Sequence, residues 1–65
     1  MLFMGEKLRK LQRDKGIPST DLATAFAVPP SEVSRWRYMV DMKMSLAIEL
    51  AYYFGVTLDE FVHYE

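Results

Sequence analysis

Five polar side chains in seven consecutive positions, Ser31, Glu32, Ser34, Arg35 and Arg37, are the residues of this chain best suited to recognition chemistry. A guanidinium can donate two parallel hydrogen bonds to the O6 and N7 acceptors of guanine, worth about tenfold or more in discrimination between bases. By that chemistry Arg35 is the expected direct base contact. Ser31 can exchange a hydrogen bond with a base edge or a phosphate, and Glu32 can accept from cytosine N4 or repel wrong sequences. Plainer roles compete with these. Glu32 and Arg35 stand one helical turn apart and can pair with each other, and Ser31 sits where a helix starts.

The elements that must hold these groups lie between Asp21 and Trp36. Leu22, Ala23 and Phe26 form an apolar i, i+1, i+4 set, Ala27, Val28, Pro29 and Pro30 interrupt it, and Val33 and Trp36 resume at i, i+3. Two short helices sharing so little apolar surface must cross steeply. That is the helix-turn-helix unit, whose second helix, here about residues 30–38, is offered to the major groove of double-stranded DNA. Ser19, Thr20, Arg37 and Lys43 are then the candidate phosphate contacts, which set register without reading sequence. The spacing of Trp36 from Val33 turns it inward, as core rather than as a platform for stacked bases.

Three further helices complete the reading. The first spans about Gly5 to Lys15, with Leu8 and Leu11 inward and Gly16 ending it. The segment Pro18 to Asp21 opens the second, with side-chain oxygens available for its free N–H groups. The prolines at 29 and 30 open the third. Met44, Ala47, Ile48, Ala51 and Phe54 mark a fourth helix ended by Gly55, and Thr57 to Glu60 is a capping box for a fifth carrying Leu58, Phe61 and Val62. The expected fold is all-α: one compact five-helix domain over 1–65 with a central helix-turn-helix.

Composition narrows the function. With 65 residues and no cysteine, the chain has no disulfide and no thiolate metal site, and depends on core packing, a partner subunit, or both. No apolar run reaches the roughly 18–20 residues that span a bilayer. Met1 to Met4 is too short for a signal sequence, and Met4 offers a second start; the expected location is cytoplasmic. The net charge of −1 argues against a generic polyanion binder. All eight basic residues nevertheless fall in the first 43 positions, and the remaining 22 hold four acids and no Lys or Arg. One end can face phosphates while the other faces solvent or a twin subunit. A lone His63, no Gly-rich phosphate loop and no expected room for a pocket of about 300 Å3 argue against an enzyme, a metal, a cofactor or a small-molecule ligand. Five aromatics at 52, 53, 54, 61 and 64 exceed what so small a core can hide. Tyr52, Tyr53, Phe61 and Tyr64 are therefore the expected contacts of a two-fold homodimer, which would set two recognition helices about 34 Å apart.

Gly5 to Leu11, Lys15 to Ile17, Leu22 with Ala23, Val33 to Trp36, and Phe54 to Phe61 together resemble the Cro/phage-repressor group of helix-turn-helix regulators, the XRE-type domain. The resemblance covers about Gly5 to Phe61 and implies a lambda-repressor-like fold and an operator-binding regulator of transcription. Ser34 to Arg37 is also similar to lambda-type phage activators, so the direction of regulation is open. Four departures stand out. The family's Thr-Gln opening of helix two is Pro18 and Ser19, its bend glycine is Ala27, and Pro29 and Pro30 replace polar readers. Its partly buried Arg–Glu pair becomes Gln12 and Arg37, which frees Arg37 to turn outward. Ala27 implies that the bend either avoids positive φ or is strained, at about 1–2 kcal/mol. The rival reading is a relative that has lost DNA and binds another regulator, antirepressor-like, through its aromatic C-terminal face.

Overall fold

The computed structural model describes residues 3–65; Met1 and Leu2, and with them the question of the start, lie outside the described residues. Five α-helices follow in order: α1 Met4–Lys15, α2 Ser19–Phe26, α3 Pro30–Trp36, α4 Met44–Phe54 and α5 Leu58–Val62. Among the described residues there is no strand, so the domain is all-α. α2 packs on α3, α4 on α5, and α1 on α5. None of the helices is long and apolar enough to cross a membrane.

The helix ends follow local chemistry. Gly16 and Gly55 close α1 and α4 with φ of 67° and 74°, and each donates its N–H back to the last turn. Thr57 accepts from the Glu60 N–H at 3.0 Å while the Glu60 carboxylate accepts from the Thr57 N–H at 2.8 Å, the reciprocal box expected for α5. These hydrogen bonds hold the Glu60 carboxyl below its ordinary pKa. α2 departs from expectation. Its N-cap is Pro18, no side chain caps it, and the Pro18 carbonyl instead accepts from Asp21 and Leu22. Ala27 closes α2 at φ 55°, ψ 44°, so the strained alternative holds.

The core runs through all five helices. Leu8, Leu11, Leu22, Val33, Leu50 and Phe61 are completely buried, with Met4, Trp36, Ala47 and Phe54 nearly so. Trp36 is core, and Phe26 meets it edge to face with centroids 5.5 Å apart. The phase of α4 needs correction. Ala47, Leu50, Ala51 and Phe54 face inward, whereas Ile48 and Met44 are exposed.

One contact sets where α3 ends. The Met4 and Gly5 N–H groups donate to the Val40 and Met39 carbonyls at 3.0 and 2.8 Å, and Arg9 Nε donates to the Arg37 carbonyl at 2.9 Å. Gly5 lies so close to the chain leaving α3 that a Cβ there would stand 2.5 Å from the Arg37 carbonyl oxygen. Two substitutions test this frame by thermal melts. Gly5→Ala is expected to cost about 1–3 kcal/mol, because the obstruction is backbone and cannot rotate away. Ala27→Gly is expected to stabilise by about 0.5–1 kcal/mol and raise Tm by several degrees, since Ala27 is exposed and only its left-handed backbone is relieved. An unchanged Tm for Ala27→Gly contradicts the strain assigned to the bend.

Candidate nucleic-acid interface

A three-residue turn, Ala27 to Pro29, joins α2 to α3, and the inward pull of Val33 and Trp36 fixes how α3 is rotated. Its opposite face carries Ser31, Ser34 and Arg35, all exposed, with Glu32 half-buried beside them. The Arg35 side chain is 61% exposed, and its Nε donates to Glu32 Oε1 at 2.6 Å. That hydrogen bond, with the charge behind it, lowers the Glu32 pKa and raises that of Arg35. The pair is therefore ionised at neutral pH. Arg35 projects into solvent with only its Nε engaged, so its Nη groups remain available to a base edge while Glu32 braces the guanidinium.

The phosphate candidates divide into two places. Ser19, half-buried, and Thr20, exposed, stand at the uncapped start of α2. Gln12, nine-tenths buried, spans from α1 to this point: its Nε2 donates to the Ile17 carbonyl at 3.3 Å and to Ser19 Oγ at 3.1 Å. Because Ser19 Oγ accepts there, its own proton is left to donate elsewhere, which suits a phosphate oxygen. Gln12 thus braces the Ser19 hydroxyl from α1. Lys43 is exposed at the N-cap of α4 and lines none of the clefts around Ser19.

Arg9 and Arg13, which are not among the expected phosphate contacts, belong to this region. A cleft of about 390 Å3 at the start of α2 is lined by Arg9, Gln12, Arg13, Ser19 and Arg37 among others, and a neighbouring one of about 540 Å3 shares the three arginines. Lys10 and Arg13 have carboxylate partners in Glu6 and Asp14 at 3.3 Å each. Arg9 is held differently, by the Arg37 carbonyl and by the Tyr38 ring 5.0 Å below its guanidinium carbon. The signal that could have found this pair is the four-residue spacing of Arg9 and Arg13, which stacks them on one face of α1.

Arg37 needs correction. It does not turn freely outward: it is half-buried, and its Nε is shielded from solvent without a hydrogen-bond partner. Gln12 Oε1 is shielded in the same way and borders the same cleft. The expectation that no pocket of about 300 Å3 could form is also overturned, since several surface clefts exceed that volume.

No family model, curated protein or solved structure matches this chain.

The aromatic set separates on burial. Phe61 is fully buried at the junction of α5 with the core, so it is not an available surface contact in this fold. Tyr64 is half-buried, and its hydroxyl donates to Asp14 Oδ2 at 2.7 Å, a bond that raises the tyrosine pKa and lowers that of Asp14. Tyr53 packs edge to face on Phe26 and Phe54. Tyr52, 87% exposed, remains fully presented.

Arg37→Met is expected to raise stability by about 1 kcal/mol or more in denaturant melts, because it removes a shielded donor without a partner. If Arg37 also touches a phosphate, the variant binds duplex DNA more weakly and its salt slope falls by about one. A loss of stability contradicts the cost assigned to the unpartnered Arg37 Nε.

Proposed function

We propose that this chain is a sequence-specific double-stranded DNA-binding regulator of transcription, of the Cro/phage-repressor (XRE-type) kind, acting as a homodimer in the cytoplasm of a prokaryote or phage-infected cell. In this reading α3 enters the major groove, and Arg35, with Ser31 and Glu32 beside it, reads base edges. Ser19, Thr20 and Arg37 hold the phosphates that flank the groove, joined by Arg9 and Arg13.

The observation that carries the reading is the pairing of two features on neighbouring elements. An exposed, polar α3 face leads into Arg37, which shares with Arg9 and Arg13 a cleft at the uncapped start of α2. The first suits base edges and the second suits phosphate, and a duplex presents both together. Glu32 acts as a brace and a filter. It holds Arg35 through Nε and offsets its charge, so a duplex offering no guanine acceptors at that place gains little from Arg35.

A second reading has its own support. The engaged Arg35, the net charge of −1 and the fully presented Tyr52 suit a regulator that binds another protein rather than DNA.

Selection from a random duplex library, followed by titration at two salt concentrations, separates the two. The DNA reading predicts an enriched site bound at about 10⁻⁸ M or tighter, with affinity falling steeply as salt rises and persisting against competitor DNA. No enriched site, with equally weak binding to every duplex, contradicts it and favours the protein-binding reading. Glu32→Gln is expected to tighten binding to all duplexes while narrowing the ratio between the selected site and random DNA. An unchanged ratio removes Glu32 from the reading face.

A further inference from the structure

The structure carries an exposed apolar stripe that the DNA reading leaves unused. Met44, Ile48 and Tyr52 follow one another at four-residue intervals along the outside of α4 and are 64%, 49% and 87% exposed. Each end of the stripe opens into a depression. At the Met44 end lies an apolar cleft of about 540 Å3, walled by Met42, Met44, Leu58 and Val62, with the carboxylates of Asp41 and Asp59 also in its lining. At the other end Tyr52 borders a second depression against Phe26 and Tyr53. Large apolar side chains exposed in a row, rather than singly, point to an interaction site.

We infer that this stripe pairs with the same stripe of a second copy, α4 against α4 in antiparallel orientation, with Ile48 on the two-fold axis and each Tyr52 seated in the partner's methionine-lined cleft. The inference rests on the dimeric part of the proposed function and not on how α3 meets DNA.

Three observations choose this occupant and orientation. The stripe is symmetric about Ile48, with one large apolar residue four positions to either side. A two-fold pairing therefore sets Met44 opposite Tyr52 twice, protruding ring against open cleft. Charge selects the same arrangement. Lys43 sits at the N-cap of α4, where a cation is unfavourable, while the last turn of α4 has no basic residue to meet its carbonyl ends. Antiparallel pairing lays each Lys43 beside the partner's last turn and relieves both; parallel pairing sets the two lysines together. The phenol finds a counterpart too, since a Tyr52 hydroxyl in the partner's cleft lies among groups that include two carboxylate acceptors. Lys43 is thereby reassigned from the phosphate contacts to the dimer.

The chain contains no cysteine, which makes cross-linking clean. Sedimentation equilibrium of the full chain is expected to give a dimer mass. Ile48→Cys is expected to form a disulfide-linked dimer under mild oxidation, since residues on a helix-pair axis approach within disulfide reach. Met44→Cys and Tyr52→Cys should cross-link efficiently only when mixed. Tyr52→Asp should yield a folded monomer with unchanged circular dichroism, because the side chain takes no part in the core. A dimer mass with no cross-link through Ile48 and no effect of Tyr52→Asp overturns the α4 pairing while leaving the dimeric reading intact. A monomer mass at all concentrations up to about 1 mM, persisting with selected duplex bound, overturns both.

Discussion

The close approach of Gly5 to the backbone leaving α3 is the constraint on which the rest of the molecule depends. Hydrogen is the only side chain that fits, and its absence of bulk lets the α1 N–H groups reach the Val40 and Met39 carbonyls. Arg9, one turn further along α1, then ties down the Arg37 carbonyl. α3 has only seven residues: Val33 and Trp36 set its rotation, but so short a helix also needs neighbours to hold it in place. Packed on α2 and fastened at its exit by α1, it holds its polar face outward.

The same contact explains the electrostatic layout. By drawing α1 against the end of α3, it gathers Arg9, Arg13 and Arg37 near the start of α2, in a chain whose overall charge is slightly negative. Gln12 belongs to this arrangement as a positioning group: buried on α1, it turns the Ser19 hydroxyl so that its proton is free. The acidic, aromatic α4–α5 half is thereby left to other contacts. Recognition by α3 and self-association by α4, as proposed, draw on different faces and do not compete for the same side chains.

Much of the framework is legible in the sequence because local chemistry dictates it. Gly16, Gly55 and the Thr57–Glu60 box fix helix ends through backbone conformation and short-range hydrogen bonds, and Val33 and Trp36 phase α3 unambiguously. α4 is different. It is apolar on nearly every side, so two stripes, Ala47–Leu50–Ala51–Phe54 and Met44–Ile48–Tyr52, each fit a helical period. Only the packing of α5 decides between them. Phe61 misled for a related reason, since counting aromatics ignores that one ring can fill the centre of a five-helix core. The residue at the bend leaves two alternatives for Ala27 that only the fold decides, and the clustering of Arg9 with Arg37 is a tertiary result that the order of residues does not announce.

In the proposed complex Arg35 bonds a guanine edge through its Nη groups while Glu32 braces its Nε. That contact is tested most directly by guanine N7 methylation interference on the selected duplex, comparing the native chain with Arg35→Ala. One guanine per half-site is expected whose methylation abolishes native binding and leaves the weaker Arg35→Ala binding unaltered. Interference identical in the two proteins, or absent from both, contradicts it.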